Sequence, residues 1–137
     1  MITLAKDNTA TPDAYSMSDG SDPVAVSFLL DGTSIPAAVT AIPATALYVW
    51  ANDDTGNIGS YSGITVEITG SDTGITWELS TDENTWAASI ALANIDVSVS
   101  HQAVQIYARA VALNDGSVAT NNYVAAKVKI TATENPA

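Results

Sequence analysis

Few residues in this chain have the types and spacing to do chemistry. The only histidine, His101, sits in VSVSHQAV between two strand-like runs. Nucleophilic catalysis needs a base of near-neutral pKa beside a Ser, Thr or Cys. A lone histidine in a strand connection is ordinarily a surface residue, so no catalytic role is expected. Glu67 and Glu78 lie on neighbouring strand-like segments, each opposite the apolar side. A glycosidase holds such a pair in a cleft, but short loops leave little room for one, so both read as solvated acids. NDDTGN places Asn52, Asp53, Asp54 and Asn57 around Gly56, and calcium takes such oxygen donors. The spacing is not that of an EF-hand and no glutamate closes it. A polar turn is the expectation, calcium a weak candidate, and no cofactor is expected.

The aromatic residues raise a different chemistry. In ITWELSTDENTWAAS, Trp77 alternates in phase with Ile75 and Leu79 and so points inward. Trp86 and Trp50 are less constrained; exposed, they would suit a protein interface or sugar stacking. Thr81-Asp82-Glu83-Asn84 reads as a turn, because Asp and Asn accept its backbone geometry. Arg109 lies mid-strand on the face of Tyr107. It would either pair with an acid such as Glu67 or Glu78 or make a docking contact. Trp50, Trp86 and Arg109 are therefore candidate partner-binding residues.

The frame that positions them is sheet. A length of 137 residues suits one domain, and with 47% hydrophobic and 14% charged residues it is a folding chain. Period-2 runs recur between turn residues. Val24, Val26, Phe28 and Leu30 share a face up to Asp31-Gly32. Pro43 marks an edge or bulge ahead of a strand over Thr45–Ala51. Asn52–Gly63 reads as a long polar loop. Ile64, Val66 and Ile68 form the next face, then Ile75, Trp77 and Leu79. Ile90 and Leu92 precede Ile95, Val97 and Val99, with a phase break at Asn94. VQIYARAVAL is the strongest strand, with Val104, Ile106, Ala108 and Ala110 on one face. The last strand sets Val124, Ala126, Val128 and Ile130 opposite the wet Lys127 and Lys129. About seven strands with regular turns predict an all-β, immunoglobulin-like sandwich over 23–132, with a jelly roll or small barrel as the alternative. Residues 1–22 read as an extended N-terminal arm or loosely held first strand, with Ile2 and Leu4 as its apolar contacts. Residues 133–137 read as a tail.

Charge and composition exclude several function classes. The net charge is −11, and the basic residues are Lys6, Arg109, Lys127 and Lys129. Phosphate binding needs clustered Lys or Arg, so neither nucleic acid nor an anionic membrane is an expected partner. The chain has no cysteine, which excludes disulfides and thiolate chemistry. No signal-peptide pattern, membrane-spanning run or Asn-x-Ser/Thr sequon appears, so a cytosolic origin is the expectation.

TWELSTDENTW, followed by VQIYARAVALNDGS and NNYVAAKVKI, resembles immunoglobulin-like domains at the level of fold, without the cysteine pair of antibody domains. A Met-initiated, cysteine-free chain of this type is also similar to the decoration (cement) proteins of tailed-bacteriophage heads. That resemblance implies a non-enzymatic virion protein on the outer capsid surface, assembled in the host cytoplasm. It implies a homo-oligomer, trimer or dimer, bound to the major capsid protein and bridging adjacent subunits. It brings no catalytic residues. Separately, a polar arm carrying Ile2 and Leu4 could add a strand to a neighbour's sheet. The competing expectations are a module of a secreted adhesin, a carbohydrate-binding module with Trp50, Trp86 and Tyr61 in an exposed strip, and, last, a small hydrolase.

Overall fold

The computed structural model describes residues 1–15, 23–119, 123 and 125–137. Those residues form nine strands and no helix. In chain order they are β1 (Ile2–Ala5), β2 (Ala38–Ala41), β3 (Leu47–Ala51), β4 (Ile58–Thr69), β5 (Ile75–Ser80), β6 (Ser89–Leu92), β7 (Ile95–Asp96), β8 (Gln102–Leu113) and β9 (Lys127–Pro136). All pairings are antiparallel.

The registers reduce nine strands to seven lines. Leu113 N donates to Gly74 O, on the β5 side of β8, whereas Asn114 N donates to Ala37 O, on the β2 side. Alternate residues of a strand point to opposite neighbours, and β3 pairs through Leu47 with Ile106. β2 and β3 therefore run along the same side of β8, with the interruption at Pro43 between them. β6 and β7 likewise keep one register along β4, Ile64 opposite Leu92 and Ser60 opposite Asp96. One sheet is thus β1, β2/β3, β8, β5; the other is β6/β7, β4, β9. This is the expected two-sheet sandwich. Compared with an antibody constant domain, the fifth and sixth lines exchange sheets, a different connection within the same architecture.

The core fills the space between the two sheets. Leu4, Leu47, Val49 and Ile106 face it from the first sheet, and Tyr61, Ile64 and Val66 from the second. Tyr61 and Ile64 are three apart, so strict alternation would turn one of them outward. Gly63 resolves this: its φ is +57°, and the register with β9 shifts between Ser62 and Thr65. A bulge there restores the inward phase. A second shift at Gly59 does the same for Ile58 and Tyr61.

Those bulges correct one expectation. The polar loop is only Asn52–Asn57, and Ile58–Gly63 already belongs to β4; two glycines that suggested a loop are bulge residues. The C-terminal tail is also strand, since Thr133–Pro136 pairs with β4 in β9. The strand expected over Val24–Leu30 does not form. Its alternation persists as half-buried Val24, Val26, Phe28 and Leu30, but no ladder joins residues 23–30 to the described chain. Periodicity supplies a buried face; a strand also needs a neighbour at hydrogen-bonding distance. Val124 lies outside the described residues. At the N-terminus, Ile2–Ala5 is a strand of the molecule's own sheet, pairing Ile2 with Ala51 and Ala5 with Tyr48.

Candidate partner-binding face

Strand pairing gathers the chemistry-bearing residues on the outer face of the first sheet. Opposed residues in an antiparallel ladder share a face. Arg109 opposes Glu78, and Ala103 opposes Trp50. Gln105, Tyr107 and Arg109 alternate along β8 away from the core face of Ile106, Ala108 and Ala110. Tyr48, opposite Gln105, joins them.

Arg109 is the centre of this face. Its Nε donates to Glu78 Oε1 at 3.1 Å, and its NH2 lies 3.0 Å from the same oxygen. Its guanidinium carbon sits 4.5 Å from the Trp86 ring centroid. A guanidinium held by both a carboxylate and an indole is a fixed, planar, amphipathic element. Trp86 and Tyr107 are each half-buried, so each keeps surface for a partner.

The turn before Trp86 fixes its position. Ser80 is buried, and its hydroxyl accepts from Glu83 N and donates to Asp82 Oδ1. Asp82 Oδ1 accepts from the amides of Asn84 and Thr85, at 2.8 and 2.9 Å. The Thr85 amide, then that of Asn84 and the Ser80 hydroxyl, hold the Asp82 carboxyl below its ordinary pKa. Glu83 takes φ +63°. Leu79 and Ala87 then exchange backbone hydrogen bonds, and the chain crosses to β4 as β6. Trp77 opposes Ala110 and packs against the core, while Trp86 is turned outward to Arg109. The two tryptophans of the motif have different jobs.

Trp50 lies on the same outer face but is covered. It is 2% exposed. Residues 6–15 fold back over the sheet: Ala5 bridges Ala14, and Lys6 N donates to Asp13 O. The Trp50 indole N–H donates to Thr9 O at 2.9 Å, and its ring stacks on His101 at 5.7 Å. His101 Nε2 is 3.2 Å from Asn8 O. The histidine thus serves in a lid over a tryptophan. Tyr61 is also buried, which overturns the sugar-binding strip of Trp50, Trp86 and Tyr61. Leu4 is buried in the core and Ile2 packs against it, so both serve the molecule's own fold.

Two further arrangements considered from sequence are not assembled. Glu67 opposes Lys129 in the second sheet, Nζ to Oε1 4.0 Å, while Glu78 belongs to the first. The two carboxylates belong to different sheets, so a glycosidase pair is not formed. In the Asn52–Asn57 loop, Asp53 Oδ1 accepts from the amides of Thr55, Gly56 and Asn57. The Asn52 carbonyl accepts from the Tyr61 hydroxyl, and Asp54 Oδ1 is 2.9 Å from the Met1 nitrogen. These oxygens are used within the turn. Among the described residues no group of three or more acidic or histidine side chains is placed to hold a metal.

One pattern went unread in the sequence. Among the described residues Asp-x-Ser/Thr occurs at Asp7, Asp31, Asp53, Asp96 and Asp115, and in each the carboxylate accepts from the amide two residues on. The Thr9 hydroxyl lowers the pKa of Asp7, and the Ser98 and Ser117 hydroxyls lower those of Asp96 and Asp115. Much of the acidity is turn chemistry, and the spacing alone could have shown it.

Comparison with known proteins adds no relative: no protein-family model and no curated protein matches the chain.

Proposed function

We propose that this chain is a non-enzymatic structural protein that docks onto a protein partner through the outer face of its first sheet. The observation that carries this reading is Arg109, clamped between Glu78 and Trp86 beside Tyr107. Arg, Trp and Tyr are the residues that dominate binding energy at protein interfaces, above all where they are held rigid. Glu78 neutralises Arg109, so the face presents little net charge on a chain of −11. The resemblance to bacteriophage decoration proteins gives the sharper form: a protein of the outer capsid surface that bridges adjacent subunits of the major capsid protein. Repetition over a symmetric shell would multiply a modest contact into firm attachment.

Trp86→Ala and Arg109→Ala test the face. Both should weaken binding to purified particles by at least roughly tenfold, in line with interface anchors. Val99→Ser, in the exposed loop between β7 and β8, should leave binding unchanged. Equal binding by all three variants would refute this face as the docking surface.

A further inference from the structure

A second region short of partners among the described residues lies along the β2 edge of the first sheet. Residues 23–30 alternate between half-buried and exposed, yet their backbone makes no hydrogen bond to the described residues. Among the described residues β2 pairs on one side only. Ala37 O faces β8, so Ala38 and Thr40 turn their backbone groups outward, where no strand pairs among the described residues. An open edge is a template for another strand.

Apolar side chains surround this edge. Leu29 is 90% exposed, Ile35 83% and Ile42 70%. The first two flank a fixed loop. The buried Asn114 side chain accepts from the amides of Asp31 and Gly32 and donates to Pro36 O. Ile42 follows directly on β2. Proteins usually guard an open edge with lysine, and β9 does so with exposed Lys127 and Lys129. The edge around β2 has no such guard. From Pro23 to Asn52 the only charged residue is Asp31, in a chain with 15 acidic and 4 basic residues.

We propose that the surface formed by residues 23–30, the loop at 33–37 and the open side of β2 is where a second copy of this chain docks. Antiparallel strand pairing and burial of Leu29, Ile35 and Ile42 would hold the two copies together. Each copy brings both a strand-like segment and a strand edge that pair with nothing among the described residues, so a second copy can meet both at once. Each also carries −11, and with Asp31 the one charge from Pro23 to Asn52 this stretch adds little to the repulsion between copies. A two-fold axis through an antiparallel strand pair satisfies both edges with one surface. The Trp86 and Arg109 variants test the first surface and the Leu29 and Ile35 variants the second, so the two readings can fail separately.

Sedimentation velocity of the purified chain over a wide concentration range tests this without any particle present. The expected result is a reversible dimer. The double variant Leu29→Asp/Ile35→Asp should weaken it by at least roughly 100-fold, since it places two like charges per copy in an apolar contact. Val99→Asp, equally exposed but in the loop between β7 and β8, should dimerise as the parent does. Near-ultraviolet circular dichroism of the tryptophans should be the same for all three. Amide exchange should slow with concentration at residues 24–30, Ala38 and Thr40 in the parent and in Val99→Asp, and not in the double aspartate variant. A parent that stays monomeric throughout, or a dimer that the aspartate pair does not disturb, would overturn the proposal. So would equal loss of the dimer with Val99→Asp.

Discussion

The N-terminal corner and the stretch from Pro23 to Ile42 are both short of regular ladder, but they solve the problem in opposite ways. In the corner, residues 6–15 fold over β1 and β3, and the buried groups find partners inside the molecule. Trp50 donates to Thr9 O, and the Tyr61 hydroxyl to Asn52 O. In the second stretch the side chains alternate as a strand requires, but the backbone of residues 23–30 has no partner among the described residues. Leu29 and Ile35 stand in solvent. The difference shows that alternation and ladder formation are separate requirements. A region that meets the first and not the second is prepared for a neighbour.

Mutations can break or sharpen this contrast, and the largest effect belongs to the corner. Trp50→Ala removes a buried indole, its hydrogen bond and its stack on His101. A loss of about 3–5 kcal/mol is expected for such a cavity, read as a lower urea midpoint. Asn114→Ala comes next. It leaves the amides of Asp31 and Gly32 without their acceptor and should cost about 1–3 kcal/mol. It should also loosen the loop that carries Ile35, seen as faster amide exchange at residues 31–37.

Acid tests the Asp turns. Their folded carboxyls lie below the unfolded value of about 3.9, so their contribution is complete above that pH. It is lost as pH falls through the lower folded values. Relief of self-repulsion at −11 acts in the opposite direction, so a comparison of variants isolates the turn. Asp82→Asn should lose less stability between neutral pH and pH about 3 than the parent does. An equal or larger loss would remove Asp82 from the account. Smallest of all, Leu29→Asp should change the stability of the monomer by no more than about 0.5 kcal/mol. A large loss would show that Leu29 serves the fold.

Much of the fold was legible in the sequence because alternation is a local signal. VQIYARAVAL reads directly as the central strand β8, and the inward phase of Trp77 follows from Ile75 and Leu79. What alternation cannot report is a phase reset or a missing neighbour. Gly59 and Gly63 looked like loop residues because a bulge and a loop share the same residue type. The segment Val24–Leu30 looked like a strand because its side chains do alternate. The candidate face was legible in part: Arg109 and Trp86 were singled out, but their stacking depends on the Ser80–Asp82 turn, which carries Trp86 from the end of β5 back to Arg109 on β8. Trp50 was misjudged as available because its cover, residues 6–15, is polar and carries no period.

The central claim is that this chain is a structural component attached to a larger particle. Density-gradient fractionation of the producing culture, with mass spectrometry of each fraction, tests it most directly. The account predicts co-migration with DNA-filled particles at stoichiometric abundance. Recovery in cell envelopes or free in the supernatant, with none on particles, would contradict it.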